Sequence, residues 1–313
     1  MDRACYVARV RLAIRSSEAN QMTPRVVAAL QSPTLLNILI QSSAWSLSVQ
    51  ELGDHAELKE TSLADFPILR RPEERVELVL VCSPDHLFNA RKIWPRAKIA
   101  WLIHNGRQRS LLPPEHEDKI DCMLCFSDRV RWLAESGRQK PAFFVSPYYE
   151  AKQSWSWSPG ILWNLRNRPE TRSDDADGIL PAITSGLNLR QYGQEQELGL
   201  ATPQIKQRLI ASCSAYMSYL HRSAGFGLAE HECLAAGVPV IGDWWGDMED
   251  ELPAEYWGLR HNLKAMRDSA VRVCEDESGA RELSSLGLEY IRRYRTKDRM
   301  DDSIAEMLSR IGL

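Results

Sequence analysis

From Val76 onward the chain alternates short apolar runs with helical stretches, a pattern that few architectures accommodate. Val76–Cys82, Lys98–Ile103, Asp121–Phe126 and Ala142–Val145 read as strands, with helices over about Asp85–Ile93 and Asp128–Glu135 between them. Strand, helix and strand in repeated succession predict a doubly wound parallel sheet. Strands of such sheets are covered on both faces, which accounts for runs such as Val-Glu-Leu-Val-Leu-Val that are nearly continuous in apolar residues. Ahead of Val76, the segments Tyr6–Ile14, Asn37–Gln41 and Ser46–Leu52 are expected to be strands, with a helix after Pro24. The tract Glu150–Gly160 is rich in Ser, Trp and Pro and breaks the periodicity as a linker would. The alternation then resumes with strands at Ile161–Leu165, Ile179–Thr184 and Ala215–Leu220, and with a helix over Gln204–Ala211 that Thr202-Pro203 starts. The tail from Ser278 to Leu313 carries Leu283, Leu286, Leu288, Ile291, then Ile304, Met307 and Leu308 at helical spacing.

Two alternating series on either side of one linker, in 313 residues, predict two domains that each bury a core. Hydrophobic residues at 44% and charged residues at 26% belong to ordinary globular chains, not to disordered ones. A formal net charge of −3 gives no electrostatic reason to expect nucleic-acid binding. The seven cysteines are odd in number and sit mostly in apolar runs, as reduced thiols of a cytoplasmic protein do. Cys122 and Cys125 form a CxxC inside an apolar strand, and no second pair stands at zinc spacing. No run reaches the roughly 18 apolar residues of a membrane span, and no leader pattern opens the chain, so a cytoplasmic location is expected.

The most specific stretch is Ala224-Gly225-Phe226-Gly227-Leu228-Ala229-Glu230-His231-Glu232-Cys233-Leu234-Ala235-Ala236-Gly237-Val238-Pro239-Val240-Ile241-Gly242. Its order predicts a strand end, a glycine-bearing turn, a helix to Ala236, a stop at Gly237 and a new strand. Glycines at 225 and 227 let backbone approach a ligand, and the helix start that follows offers unpaired amides to an anion. Such a turn suits a diphosphate.

This stretch resembles the donor-site signature of retaining glycosyltransferases of the GT-B fold, family 4 in particular. Gly225, Phe226, Gly227, Leu228, Glu232, Ala236, Gly237, Pro239, Val240 and Ile241 stand where that signature has the same residues. The resemblance covers roughly residues 180 to 250. It implies a GT-B architecture of two Rossmann-like domains facing across a cleft. Residues 1–155 would form the acceptor-side domain, 156–290 the nucleotide-sugar domain, and 291–313 a terminal helix that crosses back to the first. It also implies that Glu232 accepts hydrogen bonds from the donor's ribose hydroxyls, since the two oxygens of a carboxylate suit a vicinal diol. Amides around Gly225, Phe226, Gly227 and Leu228 would face the sugar and phosphates. Arg166 and Arg172 would neutralise the diphosphate, for which a forked guanidinium is well made. His104, at the end of the strand Lys98–Ile103, would lie in the cleft, where ligands of open α/β sheets collect.

The expected activity is transfer of a glycosyl group, with retention, from a nucleotide diphosphate-sugar to an acceptor. No resident cofactor and no metal is implied, because the acidic loop Asp174-Asp175-Ala176-Asp177 lacks ligand spacing. A glycan, a lipid-linked glycan or a small molecule are acceptors of the expected class, and the charge disfavours a DNA base. One departure supports alternatives: the signature's first glutamate, which contacts the transferred sugar, is Ala224 in this chain. A donor-binding subunit without turnover, or GT-B chemistry of another kind such as sugar-nucleotide epimerisation or hydrolysis, therefore stands beside transfer.

Overall fold

A computed structural model of the chain describes residues 24–29, 39, 41–49, 75–103, 112–164, 182–192, 203–218, 227–243, 252–260 and 262–313. Within them the strands fall into two wholly parallel sheets. The first comprises β1 (Arg25–Ala29), β2 (Ser46–Val49), β3 (Leu78–Val81), β4 (Lys98–Ile103), β5 (Cys122–Cys125) and β6 (Ala142–Phe144), in the order β2-β1-β3-β4-β5-β6. The second comprises β7 (Ile161–Asn164), β8 (Leu189–Tyr192), β9 (Ala215–Ser218), β10 (Val240–Asp243) and β11 (Leu259–Arg260), in the order β11-β10-β9-β7-β8. Both therefore share one plan, in which the second strand is laid outside the first and the third returns to the first strand's other side. The two-domain, parallel-sheet expectation agrees with this.

The helices are α1 (Pro84–Ile93), α2 (Asp128–Glu135), α3 (Pro203–Ala211), α4 (Leu228–Ala235), α5 (Leu263–Glu275), α6 (Glu277–Tyr294) and α7 (Lys297–Ile311). Their starts follow from local chemistry. Ser83, Ser127, Asn262, Asp276 and Thr296 each accept a backbone N–H of the helix they precede, satisfying a donor that would otherwise lack a partner.

The strand period of two sorts the first sheet's side chains onto two faces. Val79, Val81, Ile99, Trp101, Ile103, Met123 and Cys125 pack with Leu87 and Ala90 of α1 and Val130 and Ala134 of α2. Leu78, Leu80, Ala100, Leu102, Cys122 and Leu124 pack on the opposite side with Met300, Ile304, Met307, Leu308 and Ile311 of α7. The last helix of the chain thus covers a face of the first sheet. Asp301 of α7 fixes it there, accepting from Ser42 Oγ at 2.7 Å and from Ser43 N at 3.0 Å. The other sheet forms a separate core with α4, α5 and α6. Between them, residues 145–160 run without helix or strand, held to the end of α4 by Lys152 N→Ala235 O at 2.8 Å and Ser154 N→Ala236 O at 3.0 Å.

Three local expectations need correction. The segment after Pro24 is a strand, not a helix: Val26 and Val27 are β-branched, and β1 lies between β2 and β3 with neighbours on both sides. In Asn37–Gln41, read as a strand, Leu39 is helical and Gln41 lies in a turn; both precede β2. In Ile179–Thr184, also read as a strand, Ala182–Thr184 are helical and turn at Ser185-Gly186 into β8. That strand, Leu-Arg-Gln-Tyr, is a polar edge strand and lacks the apolar run that marks the central ones in sequence. Tyr6–Ile14 lies outside the described residues.

Candidate active site

In open parallel sheets ligands collect beyond the carboxyl ends of the strands, where the strand order reverses. In the second sheet that reversal lies between β7 and β9. β9 ends at Ser218, and α4 opens at Gly227, with its first turn bonded to that strand end through Glu230. Gly227 offers no side chain to cap α4. At the far end, Gly237 adopts φ +84, the left-handed conformation that stops a helix, and Val238 N closes the turn on Cys233 O at 2.8 Å.

α4 is unusual among surface-layer helices in being buried almost all round: Ala229, Glu230, His231, Cys233, Leu234 and Ala235 are all enclosed. It nonetheless carries two carboxylates and an imidazole. Glu230 is 2% exposed and accepts a hydrogen bond from Ser218 Oγ at 2.8 Å, tying the first turn of the helix to the end of β9. Glu232, two residues on and about 160° around the helix, is half-buried. Its negative charge acts on Tyr149, a residue of the segment that leaves the first sheet. Burial first, and Glu232 second, push the Tyr149 hydroxyl well above its ordinary range. That hydroxyl is enclosed and has no hydrogen-bond partner among the described residues.

His231 is 2% exposed. Its Nδ1 lies 3.0 Å from Gly227 O, and its Nε2 lies 3.0 Å from Arg295 Nε and 3.2 Å from the Tyr290 hydroxyl. The Tyr149 ring stacks on it, with centroids 5.4 Å apart and planes at 8°. Desolvation, then the Arg295 charge, hold the imidazole well below its usual pKa, so it is neutral. Arg295, also 2% exposed, joins α6 to α7 and donates from Nη1 to Ser146 Oγ at 3.3 Å, while its carbonyl accepts Tyr149 N at 3.1 Å. The outward segment of the chain (Ser146, Tyr149), its return (Arg295) and the signature helix therefore meet at one imidazole.

Of the site residues expected from sequence, Gly227, Leu228 and Glu232 share α4 and its N-cap, and Leu228 packs against the core of the first sheet. His104, Arg166, Arg172, Gly225 and Phe226 lie outside the described residues. Sequence reasoning misses Ser218, Glu230, His231, Tyr290 and Arg295. A usable signal exists for Glu230 and His231. Charged and polar groups in a helix whose every face is otherwise apolar or small must find partners.

The chain matches no protein-family profile and no curated protein in sequence. Its structure does resemble solved ones. Anabaena HepE in complex with UDP and glucose matches over 92% of this chain and 100% of that one, with a TM-score of 0.66 at 11% identity. The DNA-modifying enzyme β-glucosyltransferase, solved with and without uridine diphosphoglucose, matches over 93% of this chain and 100% of that one, with a TM-score of 0.59 at 11% identity. The fold is GT-B. A mutant of S. aureus TarM, in complex with fondaparinux, α-GlcNAc-glycerol and UDP, matches over 75% of this chain and 55% of that one, with a TM-score of 0.57 at 14% identity. The chain spans about half the length of TarM. Within the GT-B frame, the edge of β9 and the start of α4 belong to the second sheet, and no described helix is long and apolar enough to cross a membrane.

Proposed function

We propose that the chain is a glycosyltransferase that takes a sugar from a uridine diphosphate-sugar and passes it to an acceptor held mainly by residues 1–155. The observation that carries this reading is the position of the signature stretch. From its N-cap Gly227 onward it forms a helix that Glu230 ties to the carboxyl end of β9, beside the strand reversal, and whose first turn has no side-chain cap. HepE and TarM were solved with UDP, and the DNA-modifying β-glucosyltransferase with uridine diphosphoglucose, on the same fold. In this reading the amides of Gly225–Leu228 receive the diphosphate, Glu232 the ribose hydroxyls, and Arg166 and Arg172 the leaving-group charge, with His104 across the cleft. Retention of configuration follows from the family 4 resemblance, and independence from metal from the acidic loop Asp174-Asp175-Ala176-Asp177, which lacks ligand spacing. The protein's contribution is positioning and charge stabilisation in a cleft that closes over its substrates. A second reading, a donor-binding subunit without turnover, is favoured by Ala224 in place of the sugar-contacting glutamate.

Calorimetric titration with UDP tests the donor site. Glu232→Ala removes a charge-assisted hydrogen bond, about 1.5–3 kcal/mol, and is expected to weaken UDP roughly ten- to a hundredfold. Equal affinity in a folded variant refutes this placement of the ribose. Incubating the purified chain with UDP-glucose and candidate acceptors separates the readings: a glycosylated product supports transfer, free glucose alone supports hydrolysis, and binding without either supports the subunit.

A further inference from the structure

We infer that His231 is a hydrogen-bond relay that sets the opening of the donor helix against the junction of α6 and α7, which makes His231 and Arg295 positioning residues for donor binding. The inference rests on the donor site proposed above, and it uses residues that the family signature leaves unassigned.

The tautomer follows from the partners. A guanidinium has donors only and keeps its charge in proteins, so Arg295 Nε, at 3.0 Å, must donate to His231 Nε2. Nε2 is then the bare, accepting nitrogen of a neutral ring. The proton sits on Nδ1, which donates to Gly227 O at 3.0 Å. Gly227 is the N-cap of α4, and its carbonyl also receives His231 N at 3.4 Å. One side chain therefore fixes the peptide plane that ends the glycine turn, from the second turn of the same helix. Backbone amides that are to receive a diphosphate work only if they are aimed before the ligand arrives.

His231 is itself held on several sides. The Tyr149 ring stacks on it, the Tyr290 hydroxyl approaches Nε2 at 3.2 Å, and Arg295 is anchored to Ser146 Oγ and Tyr294 O, each at 3.3 Å. Arg295 lies where the chain recrosses: α6 ends at Tyr294 in the second sheet's core, and Thr296 caps α7, which packs on the first sheet. A displacement of α7 with the first sheet would be felt at Arg295, then at His231, then at the Gly227 carbonyl. Such a chain of buried hydrogen bonds has few alternative arrangements, because each member would lose a partner in a low dielectric.

Three measurements test the relay. UDP is titrated into wild type, His231→Leu and His231→Asn at a temperature where all are folded. Leucine removes both nitrogens. Asparagine keeps an N–H near the Nδ1 position, able to reach Gly227 O. UDP is expected to bind His231→Leu about five- to tenfold more weakly than wild type, the effect of losing roughly one hydrogen bond's worth of alignment, and His231→Asn is expected to recover most of that. A merely structural histidine would give lower melting temperatures in both variants with UDP affinity unchanged, which overturns the relay. Arg295→Met is expected to weaken UDP in the same direction, and Arg295→Lys less so. The third measurement needs no variant to fold: ¹⁵N NMR of the wild-type imidazoles should show His231 neutral with its proton on Nδ1. A proton on Nε2, or an imidazolium, overturns the relay whatever the binding data show. If wild type binds no UDP, the donor site itself falls and this inference with it, whereas UDP binding that is indifferent to His231 removes the relay alone.

Discussion

The close approach of β9 and β10 at the edge that carries the site can be tested at a single atom. Gly242 pairs with Ser218 in register, and a Cβ added to it would stand 1.8 Å from Ser218 O and 2.8 Å from Ser218 C. Both contacts are with backbone, so no side-chain rotation relieves them. Gly242 also adopts φ +143, which residues with a Cβ rarely adopt. Gly242→Ala therefore incurs two penalties: about 1–3 kcal/mol for the backbone conformation and about 1–3 kcal/mol for forcing two packed strands apart. We expect a destabilisation of roughly 3–5 kcal/mol, near the top of what single substitutions cause. Gly137→Ala is the control, since Gly137 has φ +72 but a Cβ there would meet no described atom within 4 Å. It carries the conformational penalty alone, about 1–2 kcal/mol. Urea unfolding followed by tryptophan fluorescence measures both. If Gly242→Ala is no worse than Gly137→Ala, the two strands do not approach as described. The site would then lose the frame that sets Ser218 against Glu230.

Stability should fall with acidity through His231. Its native pKa lies well below the unfolded value of about 6.5, so just below that pH the unfolded chain takes up the proton first; stability is full above about 6.5 and falls progressively as the pH drops below it. Comparing urea midpoints across pH in wild type and His231→Asn isolates this, and identical slopes would refute it. Ile304→Ala, at a fully buried α7 position in the first sheet's core, should lower stability by about 2–5 kcal/mol, and a loss below about 1 kcal/mol would mean α7 does not cover that face. Burial pushes the Cys122 thiol up to about 12 and raises Cys125 further, so neither should react with a thiol reagent in the folded protein, and both should on unfolding. They also stand on opposite faces of β5, so peptide mapping of an oxidised native sample should find no disulfide between them.

What the sequence by itself determined are the features that a short window of chain decides. The continuous apolar runs at Leu78–Val81, Lys98–Ile103 and Cys122–Cys125 could satisfy themselves only as central strands of a covered parallel sheet, and they do. The start of α4 at Gly227 and its stop at Gly237 were legible because a glycine, with no Cβ, marks both ends of the helix locally. Where the window misled, neighbours in space had the larger say. Arg25–Ala29 is a strand because β2 and β3 take its hydrogen bonds on both sides, and Leu189–Tyr192 is one despite its polarity because β7 offers an edge.

The candidate site divides in the same way. Glu232 and the glycines are expectations drawn from the spacing of one segment. The partnership of His231 with Arg295 spans 64 positions, and that of Ser218 with Glu230 joins a strand end to a helix turn. No periodicity encodes either pair. They exist because the parallel order β7, β9, β10 brings the end of β9 beneath α4, and because the chain, having crossed to the second sheet after β6, turns back at Arg295 to lay α7 on the first. Local free energies fix which segments are strands or helices. Which buried polar groups then meet is settled only when the cores close, since each must find a partner as water is excluded.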